Sequence, residues 1–316
     1  MTQTGGQEAP RRDVLGYYGH HKCASSWIAG VMARLMDEVG LRYVGAYDML
    51  APCAIGALTI EWEPTVPFER AELRKHVDTL GADFVTVGSA DRELAEILRP
   101  TRAFHVIRDP RDLIVSGYFS HRNSHPTKGW PHLQAHRDAL QDASREQGLL
   151  LEMEFSKTVL LQIGDWDYTD ESVLELKMEE LILHPYEGFI GIFGHLGLLS
   201  GAEPTRATQQ TRVWISRLLN RLSKRHLLGS LRRTMPATGE MVLGTVYALR
   251  FETKAMGRAR GTEDVTNHYR KGVAGDWMNH FTRQHAEAFD AHFGDLLVRL
   301  GYEKGPEWMA RAGASV

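Results

Sequence analysis

The sequence predicts an α/β fold, three layers (α/β/α) around a central, mainly parallel sheet. Two observations carry that expectation. Short runs rich in aromatic and β-branched residues recur at 14–20, 84–87, 103–107 and 173–178, and helical spacing follows each of them. No internal repeat or low-complexity linker divides the chain. A single domain is therefore expected over 13–305, carrying a basic helical insert at 201–263, with polar tails at 1–12 and 306–316.

Val14 to His20 (VLGYYGH) reads as the first strand. From Ser25 the pattern turns helical: Trp27, Ile28, Val31, Leu35 and Val39 share one face, and Gly40 supplies the stop. Phe84 to Val87 (FVTV) is the second strand, with a helix around Glu93 to Leu98. Ala103 to Ile107 (AFHVI) is the third, and Pro110 opens a helix where its missing N–H costs nothing. Asn123 to His132, with Pro126, Gly129 and Pro131, reads as a loop at the mouth of a site. Val173 to Met178 is the fourth strand, and Pro185 opens a helix to about Leu196.

Composition removes several function classes. Of 316 residues, Lys plus Arg number 37 and Asp plus Glu 40, a formal charge of −3. A protein devoted to coating nucleic acid needs a clear basic excess. Cys23 and Cys53 alone make neither a disulfide framework nor a Cys-rich zinc site. Residues 1–12 carry no apolar signal core. The longest apolar run, Phe189 to Leu199, is broken by His195 and falls short of the ~20 residues that span a bilayer. A cytoplasmic location is the expectation.

Three segments look built for anions. In His20-His21-Lys22-Cys23-Ala24-Ser25-Ser26-Trp27 a strand feeds a helix through a short turn. That geometry aims backbone N–H groups and a helix dipole at one point. Lys22 adds a positive charge there, and Ser25 and Ser26 add hydroxyls. The logic is P-loop-like, although the GxxxxGK[ST] pattern of nucleoside triphosphatases is missing. The second segment, Phe104 to Ser120 (FHVIRDPRDLIVSGYFS), puts Arg108 where a strand gives way to a helix, the place where open α/β sheets bind ligands. Ser116 lies eight residues on and close to the same face. The bland reading of Arg108, Asp109, Arg111 and Asp112 is a surface ion-pair cluster. The third segment, Tyr269-Arg270-Lys271-Gly272-Val273-Ala274-Gly275-Asp276-Trp277, offers two cations and a close backbone approach.

Taken together and in this order, the three segments resemble the sulfotransferases that use 3′-phosphoadenosine 5′-phosphosulfate (PAPS). His21 to Trp27 is similar to the family's 5′-phosphosulfate loop, Arg108 to Ser116 to its 3′-phosphate motif, and Arg270 to Trp277 to its RKGxxGDW element. Asn279 to Thr282 continues the last match, Leu176 to Leu198 resembles the family's strand and helix ending in Leu-Gly-Leu, and the likeness covers roughly 14–300. The resemblance implies that PAPS is the donor, that Lys22 touches its 5′-phosphosulfate, and that the loop Cys23, Ala24, Ser25 and Ser26 surrounds it. It implies that Trp27 stacks on adenine with Phe251 on the other face, and that Arg108, Ser116, Arg270, Lys271 and Gly272 hold the 3′-phosphate. No metal is implied. The family more often has Gly-Thr-Thr where Ala24, Ser25 and Ser26 stand, and its acceptor-side Tyr is replaced, at Met178. Its dimer signature keeps only Thr282 and Glu287 here, with Met278 and Arg283 at the positions of its Lys and Val.

The general base departs from the pattern. Cytosolic members carry a His shortly after the second strand, but Val85 to Asp91 (VTVGSAD) has none. Glycan and tyrosyl branches use an acid after the first helix, which makes Asp48 the candidate base, with Glu61 and Glu63 behind it.

Four features stand beside this reading. His121 and His125, and His132 and His136, are spaced i, i+4, a metal-binding spacing with no third ligand in view, so hydrogen-bonded or solvated histidines are the expectation. Cys23 is next to Lys22 and before a helix, neighbours that should lower a thiol pKa and make it reactive toward alkylation; a buried, inert thiol is the equal alternative. Cys53 carries no signal. Residues 206–233 hold eight Lys and Arg and no acid; an amphipathic helix there would serve as a lid or as a peripheral membrane contact. The expected reaction is sulfuryl transfer to a hydroxyl or amine of a small-molecule or lipid-like acceptor. The rivals are a P-loop nucleotide phosphotransferase and a non-catalytic PAPS-fold binding protein.

Overall fold

The computed structural model describes residues 13–48, 55–60, 63–128, 130–200, 211, 214–215, 218–219 and 234–313. Seven strands form one sheet in the order β4-β3-β2-β5-β1-β6-β7. They are β1 (Leu15–Gly19), β2 (Tyr43–Asp48), β3 (Ile55–Ile60), β4 (Glu63–Glu69), β5 (Phe84–Val87), β6 (Arg102–Ile107) and β7 (Val173–Lys177). The five strands from β2 to β7 in sheet order are parallel, and β3 and β4 extend the β2 edge antiparallel. The α/β expectation holds, with the antiparallel edge as an addition. The sequence reading passed over β2, β3 and β4. Pro64 and Pro67 lie inside β4, and proline is tolerated there because β4 is the edge strand.

Alternating side chains of the central strands point to opposite faces, and both faces are covered. On one, Tyr17, Phe84, Phe104 and Val106 pack on α1 (Ser25–Val39), α9 (Pro185–His195) and α10 (Gly239–Ala248). On the other, Tyr18, Val85 and Ala103 pack on α2 (Leu73–Thr79) and α3 (Arg92–Leu98). Helix α1 ends as its sequence predicts: Gly40 adopts φ 78° and returns its N–H to Asp37 and Met36, a left-handed cap that favours glycine.

A third cluster lies around α4 (Pro110–Phe119), with α6 (Arg145–Phe155), α7 (Lys157–Gly164) and α12 (Arg283–Phe293) packed on Leu113 and Ile114. The sequence reading saw neither α6 nor α7, nor α5 (Pro131–Asp142). The expected loop at 123–132 is shorter than read, because a π-helical turn over Ser120–Ser124 prolongs α4 and α5 begins at Pro131. Lys177 closes β7, and Met178 opens α8 (Met178–Leu183) instead of ending the strand.

The last described residues are not a polar tail. A 3-10 turn over Pro306–Arg311 buries Trp308, 3% exposed, edge-on to Trp277. The Arg111 guanidinium sits 3.9 Å from the Trp277 ring and 5.0 Å from the Trp308 ring, paired with Asp109 and Glu303. Arg108, Asp109, Arg111 and Asp112 are all buried, so the surface ion-pair reading of that cluster is wrong. The basic segment 206–233 lies largely outside the described residues. Among the described residues no helix is long and apolar enough to cross a membrane. Trp308→Ala removes a buried aromatic and its contact with Arg111; urea unfolding should show a loss of about 3–5 kcal/mol, and an unchanged midpoint would mean that the C-terminal turn adds no stability.

Candidate active site

The carboxyl ends of β1 and β6 open onto a cleft of about 1170 Å³, continuous with solvent. The chain enters it twice, through the turn after β1 and the turn before α4. The first turn winds tightly: Lys22 and Ala24 both lie in the left-handed region, with φ 66° and 57°. Such angles in non-glycine residues cost roughly 1–2 kcal/mol each. They direct the uncapped first turn of α1 at the cleft; no side chain caps it, so the N–H groups of Ser25 and Ser26 stay outside the intrahelical ladder.

A single row of side chains organises the rest. Asp112, Ser116 and Ser120 follow one another at intervals of four residues, a spacing that stacks side chains on one helix face, and Arg108 lies just before that helix, between β6 and the Asp109 cap. Arg108 donates from Nη1 to the Lys22 carbonyl oxygen at 3.0 Å. Asp112 accepts from the Gly275 and Trp277 N–H groups at 2.6 and 2.8 Å. Ser116 lines the cleft. Ser120 receives a hydrogen bond from Lys22 Nζ. All three segments singled out by sequence are thus tied to one helix.

The third segment is fixed by Asp276, which accepts from Arg270, Lys271, Asn279 and His280. Burial alone would raise its pKa; those hydrogen bonds win and hold it well below the usual carboxylate range. Gly272 has φ 71°, and a Cβ there would fall 2.6 Å from the Phe251 ring. Glycine is needed at that position on both counts. Phe251 and Trp27 both border the cleft.

Except for Cys23, every residue assigned by sequence to the donor lines this cleft: Lys22, Ala24, Ser25, Ser26, Trp27, Arg108, Ser116, Phe251, Arg270, Lys271 and Gly272. Cys23 is fully buried against Ile107, Leu113 and Ile114. Burial pushes its thiol well above its ordinary value despite the nearby Arg108, so the expected reactive, low-pKa thiol is corrected. Asp48 closes β2; by register Ala46 is level with Val87 and Tyr18, which sets Asp48 level with His20, two strands away.

Charge at the cleft is unbalanced. Arg108 is 7% exposed and its Nε has no partner. Among the described residues no carboxylate pairs with it. Lys22 likewise meets only a hydroxyl. Burial lowers its ammonium to about 7, Glu152 pulling it up and Arg108 adding to the lowering. Asp112 feels the charge of Arg108 but spends its oxygens on the Gly275 and Trp277 N–H groups; a buried guanidinium with no hydrogen-bonded carboxylate is costly, and an anionic ligand relieves that cost.

Histidines that the motif reading did not use also meet here. His21, His125 and His268 line the cleft. His21 Nε2 lies 2.8 Å from His121 Nε2. His121 Nδ1 contacts both oxygens of the buried Glu152 at 2.9 and 3.0 Å, and His136 Nε2 and Ser156 Oγ also reach that carboxylate. The sequence paired His121 with His125; the fold joins His121 to His136 through Glu152. Burial would raise the Glu152 carboxyl, but the two histidines hold it at about 2.

The sequence matches no protein-family model and no curated protein. The fold is similar to a crystal structure of mouse sulfotransferase SULT7A1 complexed with PAP, at TM-score 0.52 and 13% identity, over 96% of this chain and 88% of that one. Two structures of retinol dehydratase, one with androsterone and inactive cofactor PAP and one with retinol and PAP, align at TM-scores of 0.43 and 0.38 and identities of 14% and 15%, each over 91% of this chain and 82% of that one.

Buried as it is, Cys23 should resist iodoacetamide in the native protein and react only after unfolding. Peptide mapping reads this, and rapid native labelling at Cys23 would contradict its packing.

Proposed function

We propose that this protein is a PAPS-dependent sulfotransferase, transferring a sulfuryl group to a hydroxyl or amine of a small, largely apolar acceptor. The observation that carries the proposal is Arg108, a buried guanidinium with no carboxylate partner, held against Lys22 at the mouth of an α/β sheet. Several features fit PAPS: the unpartnered Arg108 Nε, the uncapped N-terminus of α1, and the Arg270–Lys271–Gly272 turn closed against Phe251. Arg108, Ser116, Arg270 and Lys271 would hold the 3′-phosphate, with Lys22, Ser25 and Ser26 at the 5′ end. Trp27 and Phe251 are the aromatic faces available to adenine. Phe119, Met178, Ile182, Leu249 and Val265 give the cleft an apolar remainder, which supports an apolar acceptor.

When bound, PAPS supplies the sulfuryl group and a phosphate leaving group. The protein's part is to align the reacting groups and to hold positive charge where the leaving oxygen becomes negative. Lys22 does the second in its ammonium form, fixed by Ser120. Arg108 orders the Lys22 carbonyl and so the loop itself.

Calorimetry tests the reading with adenosine 3′,5′-bisphosphate (PAP) and 5′-AMP. Wild type should prefer PAP, and Arg108→Ala should lose about 1.5–3 kcal/mol of PAP affinity, roughly tenfold to a hundredfold. Equal affinity for the two nucleotides would sink the proposal. The same titrations carry a pH signature. With Lys22 lowered to about 7, the free protein at pH 8 holds it mostly neutral, and an anion beside it restores the ammonium. Binding at pH 8 should therefore take up a proton, seen as an enthalpy that varies with the buffer's ionisation heat, and affinity should fall as pH rises above 7. Lys22→Met should abolish the uptake.

A further inference from the structure

The fold brings together His21, His121 and Glu152, which are separated by 100 and 31 positions along the chain. Their hydrogen bonds place the ring protons once His121 is neutral, the form that its burial favours by lowering its pKa. Glu152 is an ionised carboxylate and only accepts, so His121 must carry its proton on Nδ1. His136 Nε2 and Ser156 Oγ are donors to the same carboxylate for the same reason. A neutral His121 then offers its Nε2 as an acceptor, and His21 must donate from its own Nε2 across the 2.8 Å contact. His21 is left with a lone pair on Nδ1. Among the described residues that atom has no partner, and it is not sealed from the cleft that His21 lines.

We propose, resting on the sulfotransferase reading above, that His21 Nδ1 is the general base for the acceptor, with His121 and Glu152 as positioning residues. The acceptor O–H gives its proton to His21 Nδ1 as its oxygen forms a bond to sulfur. The bond between sulfur and the bridging oxygen of the 5′-phosphate breaks, and its electron pair leaves with PAP. The imidazolium then formed shares its charge through His121 with Glu152. Lys22 follows His21 directly in the chain, so the base and the leaving-group cation come from one turn. The other groups around the ring are Lys22, His125 at 5.1 Å, Trp130 at 6.0 Å and His268. Burial first, and then the charge of Lys22 and of any protonated His121, His125 or His268 beside it, lower the His21 pKa well below its ordinary value, which keeps the ring neutral and able to accept. His125 is the alternative ring on the cleft: its Nδ1–H donates to the Pro126 carbonyl and leaves Nε2 unprotonated, but among the described residues no carboxylate or second imidazole is hydrogen-bonded to it as His121 and Glu152 are behind His21.

The test uses the full chain, wild type against His21→Gln, His125→Gln and Asp48→Asn. PAP affinity is measured first, then release of PAP from PAPS with water, phenol and 1-octanol as stand-in acceptors. His21→Gln should lose about 100-fold or more in turnover with PAP affinity within about threefold of wild type. Unchanged turnover in His21→Gln, or a loss confined to His125→Gln or Asp48→Asn, would overturn the assignment. Failure of wild type to bind PAP would instead remove the donor reading itself. Nitrogen-15 spectra of the histidine rings in the PAP complex give a readout that needs no acceptor. His21 should show an unprotonated Nδ1 at pH 7, and His121→Gln should let the Nδ1–H form appear while PAP still binds. A wild-type His21 protonated on Nδ1 would refute the relay even if no stand-in acceptor turns over.

Discussion

One row of side chains along α4 holds the site in place. Arg108 grips the backbone of the turn after β1, Asp112 grips the backbone of the turn before Trp277, and Ser120 receives the Lys22 ammonium. Arg108 and Ser120 both hold Lys22 in the turn after β1, Asp112 holds the turn before Trp277, and three of these four bonds end on main-chain atoms. The paths of the loops are thus set largely through main-chain atoms, not by their own side chains. The helix is itself anchored at its start, where Asp109 caps it and binds Arg111.

The bonds on this helix also explain why so much positive charge collects in one place. Arg270 and Lys271 are neutralised by Asp276 and Glu263, and Arg260 by Glu252. Arg108 and Lys22 meet only a carbonyl and a hydroxyl. Charge is thus balanced at the rim and left open at the centre. An electrostatic well of this kind draws a polyanion inward and orients it.

The parts of this architecture legible in the sequence were those set by local spacing. The α1 stripe with its Gly40 stop, four of the five parallel strands and the three anion segments all depend on neighbours within a few residues. The antiparallel edge was missed because Pro64 and Pro67 argue against a strand unless its place at the rim is known. Cys23 was misread for the opposite reason: its sequence neighbours promise an activated thiol, while Ile107 and Leu113, far along the chain, seal it in the core. The His21–His121–Glu152 chain has no sequence signature at all. His121 had shown only a spacing to His125, and Glu152 belongs to a helix the periodicity did not reveal. Residues that meet across such separations are assembled by topology, which a single sequence does not display.

The packing of Arg111 between Trp277 and Trp308 bears on the order in which the molecule is made. Trp277 belongs to the same turn as Arg270 and Lys271, and the ring that covers its guanidinium partner comes from the 3-10 turn at 306–311. During synthesis the sheet is complete once β7 has emerged, well over a hundred residues earlier. The Arg270–Lys271 side of the cleft gains the cover of Trp308 only after the 3-10 turn at 306–311 has followed. A nascent chain would thus hold a finished sheet and the turn after β1 before the Arg270–Lys271 turn is packed in place.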